Sequence, residues 1–151
     1  ALAVRGAIDL VAKDLNGHHV IIDLKWTRRG KKRLDELKDG NAVQLATYGA
    51  MVSGGAPYRA GYFLLNQRQF ATLEDGGLTG RQVDGRRDFP ETWVAIRESW
   101  QRLGEVAEAG RLVACGVAGF EEHLPSDLPI VLKANCQWCD YQTLCRIRGL
   151  A

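Results

Sequence analysis

The sequence has no long hydrophobic run and no secretory leader. No stretch of its 151 residues approaches the roughly 18 consecutive apolar residues that a membrane-spanning helix requires. The opening segment, ALAVRGAIDL, lacks the charged-then-apolar order of a signal peptide. We therefore expect a cytoplasmic protein without a membrane partner.

A strong charge of one sign is also missing. The net charge is +2, so the overall charge gives no argument for a polyanionic partner. Basic residues are nevertheless clustered at residues 28–33 and again around Arg81, Arg86 and Arg87. Each cluster is open to two interpretations, a surface that contacts phosphates and a solvated basic loop.

The chain does not begin with methionine, and it enters a strand-like pattern at once. We interpret this start as a truncation, so that the chain is a fragment of a longer protein. A length of 151 residues suits one domain with one core. We expect residues 1–151 to form a single domain that lacks an N-terminal helical part.

Two segments rich in Val, Ile and Leu, residues 4–13 and 18–26, predict a pair of β-strands. The residues between them, DLNG, form a turn signal. Gly17 can adopt the left-handed conformation that closes a three-residue hairpin loop. The two segments therefore predict a β-hairpin.

The loop length decides which residues face each other. If Asp14 pairs with His18, Asp9 lies directly opposite Asp23. A two-residue loop that pairs Leu15 with His18 would place the two aspartates on opposite faces. We favour the first register because it brings the carboxylates together. One face of the hairpin is then expected to be core (Ile8, Leu10, Val20, Ile22 and Leu24), and the other to be roofed by a helix (Ala7, Asp9, Val11, Ile21, Asp23 and Lys25).

The rest of the chain predicts further helices and strands. The helix expected near the end has Pro90 in its first turn and an apolar repeat that we assign to the core. In chain order the expectations are a polar, mobile loop with a short helical piece (27–40), a helix with Asn41 as N-cap (41–53), a strand (58–66), an irregular segment (71–88), a helix carrying the repeat Trp93, Ile96, Trp100, Leu103 and Val106 (90–110), and a loop (120–135).

Charged residues stand in the middle of both hairpin strands. A buried strand rarely carries a charge unless that charge is paired or bound to metal. Two carboxylates at close range, Asp9 and Asp23, repel each other unless a cation or a proton lies between them. Hard oxygen ligands suit Mg²⁺ or Mn²⁺, and the carbonyl of Leu24 would add another. Lys25 would orient a water or stabilise charge on a phosphate, although spacing alone is equally compatible with a buried ion-pair network.

Gln44 and Tyr48 share one face of the predicted helix because they are four residues apart. Both side chains donate hydrogen bonds and could contact a phosphate near the metal. The alternatives are that Gln44 completes a capping box with Asn41, and that Tyr48 is a core ring with its hydroxyl at the surface.

Three of the four cysteines lie near the end of the chain, with the spacing Cys136-x2-Cys139-x5-Cys145. This spacing favours metal or cluster ligation over plain buried thiols. Cys115 is typical of a small core residue, and His123 is a weaker candidate for a fourth ligand. Because a 4Fe–4S cluster normally takes four thiolates, we expect this fragment to be cluster-free or to bind zinc adventitiously.

These motifs, taken in order, resemble the RecB-type branch of the PD-(D/E)XK nuclease superfamily. The cysteine spacing resembles the end of its iron–sulfur version, found in AddB-like and CRISPR-adaptation nucleases. The resemblance covers nearly the whole chain, although its middle matches only in the order of elements. The matching motifs are Gly6-x2-Asp9, Asp23-x-Lys25, Gln44-x3-Tyr48 and the three terminal cysteines.

The resemblance implies an α/β fold with a restriction-endonuclease-like core, a mixed central sheet flanked by helices. It implies a single nuclease domain that hydrolyses DNA with Mg²⁺ or Mn²⁺, as an exonuclease in preference to an endonuclease. The substrate would be single-stranded or frayed DNA, and the partner a helicase or a fused helicase domain, in recombination, repair or CRISPR-type processing. The implied site consists of metal ligands (Asp9, Asp23 and the Leu24 carbonyl), a catalytic lysine (Lys25), an auxiliary motif (Gln44 and Tyr48) and, in the full-length protein, a 4Fe–4S cluster (Cys136, Cys139 and Cys145).

Two departures from the family pattern bear on these expectations. Many members carry a histidine ligand and a first cluster cysteine upstream of the first motif, and this chain starts too late to hold either. Two other functions stay open: a non-catalytic module that scaffolds or binds nucleic acid for a helicase-nuclease, and a zinc-binding interaction module. The intact set of Asp9, Asp23 and Lys25 argues against the first, and stoichiometric zinc in the purified fragment would favour the second.

Overall fold

The structure, a computed structural model, describes residues 4–28, 30–74, 77–111, 122 and 124–132. The chain divides into two compact units, Ala1–Val94 and Ala95–Ala151. In the described part of the chain, no helix is both long enough and apolar enough to cross a membrane.

The first unit is built on a mixed five-stranded sheet. Its strands follow one another across the sheet in chain order. The pairs β1–β2 and β3–β4 are antiparallel, whereas β2–β3 and β4–β5 are parallel. The strands are β1 (Leu10–Lys13), β2 (His19–Lys25), β3 (Tyr58–Leu64), β4 (Gln69–Leu73) and β5 (Arg81–Val83).

Three α-helices accompany this sheet in the described residues, so the α/β expectation is confirmed. Helix α1 (Lys31–Lys38) is the short helical piece expected in the polar segment. Helix α2 (Val43–Ser53) ends at Gly54, which takes the left-handed conformation. Helix α3 (Phe89–Glu108) begins in the first unit and continues into the second.

The predicted hairpin register is confirmed. Leu10 pairs with Ile22, and the backbone N–H of Asp14 donates to the carbonyl of His18 at 3.0 Å. Gly17 closes the loop with a φ of 82°. The Asp14 carboxylate also accepts the backbone N–H groups of Asn16 and His18. Together with the His18 ring and the Arg59 guanidinium, these donors outweigh desolvation and lower the pKa of Asp14 to about 2.

Helices α1 and α2 cover the face of the sheet that carries Asp23. Lys25 hydrogen-bonds to Gln44 of α2, and Tyr62 hydrogen-bonds to Glu36 of α1. Apolar side chains of the sheet that are almost fully buried lie beneath these helices (Ile21, Ala60, Tyr62, Leu64 and Ala71). The expectation of a helical roof is therefore confirmed for the β2 residues of this face, Ile21 and Asp23, but it is wrong for Ala7, Asp9 and Val11, which are exposed at the edge of the sheet.

The opposite face departs from the predicted core. Val20 and Ile22 are buried there, but Leu10 is 46% exposed and Leu24 is 40% exposed. The prediction that these two leucines are core residues is wrong. Both lie where β1 forms the edge of the sheet, and the alternation of strand residues fixes only which face a side chain takes, not whether that face is covered.

Residues 71–88, predicted to be irregular, contain the end of β4 and all of β5. Strand β5 has three residues and pairs in parallel with β4. Such a short strand carries too little local pattern to be recognised, because its hydrogen-bonded partner stabilises it rather than its own propensity. The prediction for this segment is therefore wrong.

Two element boundaries also differ from expectation. Helix α2 has Ala42 at its N-cap and no side-chain cap, whereas Asn41 accepts the Val43 N–H through its backbone carbonyl. The predicted Asn41 cap is therefore wrong. Strand β3 ends at Leu64, and a short 3-10 turn follows (Leu65–Gln67).

The predicted helix over residues 90–110 corresponds to α3. Asp88 and Glu91 cap it reciprocally, each side chain accepting the other's backbone N–H. After Phe89 its buried positions are small residues (Thr92, Ala95 and Ser99), whereas Trp100 is 63% and Leu103 39% exposed. The prediction that Trp100 and Leu103 are core residues is wrong, because spacing identifies the apolar side of a helix but not which side is packed.

Candidate active site

The carboxyl end of β2 brings Asp23 and Lys25 to one face of the sheet. Asp23 is 1% exposed, and the Nζ atom of Lys25 lies 2.6 Å from its Oδ2 atom. The same Nζ donates to Oε1 of Gln44 at 2.9 Å. An ammonium is thus held between a buried carboxylate on its own strand and an amide on helix α2.

The Oδ2 atom of Asp23 is buried, and the Lys25 ammonium, 2.6 Å away, is its ion-pair partner. Burying a carboxylate is costly even when one counter-charge accompanies it. Burial raises the pKa of the Asp23 carboxyl and the nearby charge of Asp9 adds to that rise, while Lys25 opposes it.

Asp9 precedes β1 and lies opposite Asp23 in the hairpin register. Its side chain is exposed, and its Oδ2 atom accepts the backbone N–H of Leu24 at 2.8 Å. In an extended strand the N–H and C=O of one residue point to the same side. The Leu24 carbonyl therefore points toward the side on which the Asp9 carboxylate lies.

These residues fit a hard divalent cation. The available donors are two carboxylates and one backbone carbonyl, all oxygen, which is the ligand type that Mg²⁺ and Mn²⁺ take. The incompletely satisfied Oδ2 atom of Asp23 is the kind of group that such a cation would complete. Within the described residues, no cluster of three or more His, Cys, Asp or Glu side chains exists, so protein carboxylates would supply at most part of the coordination.

Gln44 and Tyr48 lie next to Lys25 on helix α2. Besides accepting from Lys25, Gln44 donates through Nε2 to the Tyr48 hydroxyl at 3.5 Å. The capping-box alternative for Gln44 is wrong, because α2 has no side-chain cap. Gly6 passes close to Tyr48: a Cβ atom at Gly6 would lie 2.8 Å from Cε1 of the ring. Tyr48 is half-buried and belongs to this polar chain rather than to the core.

Three further residues of the site were not predicted from the sequence. Tyr62, the strand neighbour of Asp23, donates its hydroxyl to Glu36 at 3.0 Å. Arg33 forms an ion pair with the same Glu36 and lies over the Tyr62 ring. Burial, followed by the charge of Glu36, raises the pKa of Tyr62. The sequence signal is the i, i+3 spacing of Arg33 and Glu36, within the segment expected to be a polar loop with a short helical piece.

All five predicted catalytic residues belong to the first unit. Side-chain contacts join Asp23, Lys25, Gln44 and Tyr48, whereas Asp9 accepts the backbone N–H of Leu24, the residue between Asp23 and Lys25. The predicted cluster ligands, Cys136, Cys139 and Cys145, lie outside the described residues, as do Cys115 and His123. Their roles stay predictions.

A mixed α/β sheet with two aspartates and a lysine at the end of its first hairpin defines a class of proteins with an acidic site built for metal-assisted chemistry. The sequence model of the PD-(D/E)XK nuclease superfamily matches residues 1–146, and the chain belongs to that superfamily. Its members are generally nucleases that use divalent metals, and membership implies DNA as the substrate. No curated protein and no solved structure gives a significant match to the chain.

Proposed function

We propose that this chain is the catalytic core of a deoxyribonuclease that requires Mg²⁺ or Mn²⁺. The observation that carries the proposal is the buried Asp23 carboxylate, whose Oδ2 atom has the Lys25 ammonium at 2.6 Å and whose pKa burial raises. A buried carboxyl with a raised pKa and a specific charge partner is typical of functional sites. The proposal extends to residues 1–151 as one nuclease domain.

Asp9, Asp23 and the Leu24 carbonyl would hold the divalent cation. When bound, the cation supplies positive charge to a phosphoryl oxygen and lowers the pKa of a nearby water. Asp9 is held by the Leu24 N–H, which ties the exposed carboxylate to the end of β2. The two carboxylates thus approach the site from neighbouring strands whose register the hairpin loop fixes.

Lys25 would stabilise the negative charge that builds on the phosphate as the phosphodiester bond breaks, and would orient the attacking water. Its ammonium is positioned before substrate binds, since Asp23 and Gln44 both contact Nζ. A charged group that is already in place lowers the barrier more than one that must reorganise. Lys25 is 20% exposed, so part of its side chain remains accessible.

Gln44 would be a positioning residue for Lys25, and Tyr48 would extend the same chain of hydrogen bonds toward a phosphate. The Gln44 amide is oriented by its two contacts, accepting from Lys25 and donating to Tyr48. The absence of a Cβ atom at Gly6 leaves room for the Tyr48 ring. This arrangement explains why the Gly6 motif and the Gln44-x3-Tyr48 motif occur together.

We further propose that the chain belongs to the RecB-type branch and works on single-stranded or frayed DNA as an exonuclease in the cytoplasm. Its partner would be a helicase or a fused helicase domain, in recombination, repair or CRISPR-type processing. The support is the motif spacing together with the cysteine spacing. In a longer protein the three terminal cysteines (Cys136, Cys139 and Cys145) would bind a 4Fe–4S cluster.

The direct test is incubation of the purified chain with single-stranded DNA labelled at one end. Cleavage is expected with Mg²⁺ or Mn²⁺ and is expected to stop when EDTA removes the metal. The rate is expected to be low, because the site has few protein ligands for the cation. Stepwise loss of single nucleotides would identify an exonuclease. Cleavage that continues unchanged in EDTA would refute the proposal.

Replacing Gln44 with Met is expected to lower kcat by about 10- to 100-fold with little change in KM, because a hydrogen bond to a charged group is worth about 1.5–3 kcal/mol. The reason is that Lys25 loses one of the two contacts that position it. The pH–rate profile should also change, since the environment of the Lys25 ammonium changes.

The matched control is Gln101→Met, which changes an exposed glutamine on α3 and should keep the wild-type rate and pH profile. If Gln44→Met raised KM with kcat unchanged, Gln44 would contact the substrate instead of positioning Lys25.

A further inference from the structure

A second feature lies at the edge of the sheet formed by β5. A groove of about 540 Å³ separates helix α1 from this strand. Three of its lining residues are cations, Lys31, Lys38 and Arg81, and one is an acid, Asp35. Leu34, which is buried, lies at the groove as well. None of these residues takes part in the candidate active site.

The three cations of this groove are free to bind an anion. All three are exposed, and none forms an ion pair with any residue that the structure describes. Lys31 and Lys38 stand two turns apart on one face of α1, a separation of about 10 Å along the helix. The groove therefore carries three positive charges and one negative charge, and its two lysines are spread along the helix and do not converge on one point.

The pairing register relates this groove to the active site. Asp23 pairs with Tyr62, Tyr62 with Ala71, and Ala71 with Arg81. Paired residues lie on the same face of a sheet, so Asp23 and Arg81 share one face. They are separated by three strand spacings, roughly 14 Å.

Helix α1 begins at the active-site end of this face. Gly30, just before the helix, packs against Leu64, and Leu64 is the strand partner of Lys25. Lys31 therefore lies at the end of the groove that is nearer to the active site. Lys38 lies at the other end of the helix and Arg81 lies on the facing strand, so a linear polyanion that leaves the active site along the groove meets several cations.

We infer that this groove binds the sugar-phosphate backbone of the DNA strand on one side of the phosphate that is cut. The inference rests on the proposed nuclease function and assigns a strand-binding role to Lys31, Lys38 and Arg81. Separated cations along a groove match the repeating charge of a nucleic-acid backbone. A compact anion such as a nucleotide would instead need donors that converge on one point.

The test compares two double variants that change the net charge equally. Lys38→Glu with Arg81→Glu removes two groove cations, whereas Lys13→Glu with Lys32→Glu changes two exposed lysines that do not line the groove. Binding of a long labelled oligothymidine is measured without divalent metal over a range of salt concentrations. The groove variant is expected to bind at least about tenfold more weakly, and its salt slope should fall by about 1.4, or about 0.7 for each lost phosphate contact.

The control pair is expected to keep the wild-type salt slope, and the milder groove pair Lys38→Gln with Arg81→Gln should give a smaller loss in the same direction. Equal weakening by the groove and control pairs would overturn the inference. Displacement of the DNA by inorganic triphosphate as tightly as by DNA itself would also overturn it, since the groove would then be a small-anion site.

A small activated diester, bis(4-nitrophenyl) phosphate, separates this inference from the proposed function, because it cannot reach the groove. Groove variants should hydrolyse it at the wild-type rate while showing a raised KM for long DNA. If neither the wild-type protein nor the groove variants hydrolysed either substrate while the groove variants bound DNA more weakly, the nuclease function would be refuted and the DNA-binding role of the groove would be retained. Normal hydrolysis with an unchanged KM for long DNA would refute the groove alone.

Discussion

Replacing Lys25 with Ala is expected to slow DNA cleavage by about 10³-fold, the loss that follows when a positioned group that stabilises transition-state charge is removed. The ammonium stands 2.6 Å from Asp23 and 2.9 Å from Gln44, and neither of those groups can replace its charge. Single-turnover cleavage of labelled DNA with saturating Mg²⁺ measures the effect. Lys13→Ala, which alters an exposed lysine of β1, should retain the wild-type rate.

The same substitution removes the counter-charge of a buried carboxylate. Without Lys25, the main influence that opposes the raised pKa of Asp23 is lost and only the charge of Arg33 still opposes it, so we expect a loss of about 3 kcal/mol in the free energy of unfolding at neutral pH. The Lys25→Arg variant separates the contribution of the positive charge to stability from the contribution of the ammonium to catalysis. It should restore most of that stability but little of the rate, because a guanidinium does not present its charge as a compact ammonium does. Full cleavage by Lys25→Ala would remove Lys25 from the mechanism.

The hairpin that carries the site could be predicted from sequence because its determinants are local. A loop containing Gly17 selects the turn, and the turn selects the register. Alternation with a period of two then assigns Asp9 and Asp23 to the same face without any knowledge of the rest of the fold. Asp14 reinforces the turn with its carboxylate, so sequence and structure agree where short-range interactions dominate.

The environment of that hairpin could be predicted only in part, because it depends on distant segments. The strand pattern predicted a helical roof over the Asp23 face, but it does not tell that Leu10 and Leu24 on the opposite face stay exposed. Strand β5 likewise exists through its pairing with β4. Burial and edge pairing are tertiary properties, and they override local preference in short elements.

The role of Gln44 shows how one spacing supports two structures. As the third residue after Asn41, Gln44 suited a capping box, and as a residue one turn from Tyr48 it suited a polar site. The choice depends on where α2 begins. The helix begins at Val43 with no side-chain cap, so the Gln44 amide is available to Lys25. The start of helix α2 at residue 43, two residues after the predicted start at residue 41, therefore decides the function of the Gln44 side chain.

Replacing Asp23 with Asn is expected to abolish cleavage and yet to stabilise the metal-free protein at neutral pH. The folded state raises the pKa of Asp23 above its ordinary value of 3.8. In the pH range between the unfolded and the folded pKa, the native protein therefore retains a proton at this carboxyl that the unfolded chain has already released. The contribution of Asp23 to stability is greatest below its unfolded pKa and is lost as pH rises through the folded pKa.

Asparagine is neutral at every pH, so the variant avoids this loss. We expect the Asp23→Asn protein to be more stable than wild type by about 1 kcal/mol near pH 7, a size common when a destabilising functional residue is replaced. The advantage should shrink as pH is lowered toward 4. Asp84→Asn, which neutralises an exposed aspartate in the same unit, should show no such pH-dependent gain.

Mg²⁺ should reverse the order of stability of the wild-type protein and the Asp23→Asn variant. A ligand that binds only the native state stabilises it, by about 2.7 kcal/mol at 100 times its dissociation constant. Wild type has two aspartates at the proposed site and should gain stability, whereas Asp23→Asn should gain little. In thermal unfolding, the Asp23→Asn variant is therefore expected to unfold at the higher temperature without Mg²⁺, and the wild-type protein at the higher temperature with Mg²⁺. If wild type were the more stable protein without metal and neither protein responded to Mg²⁺, the buried ion pair would be structural. Asp23 would then be no cation ligand.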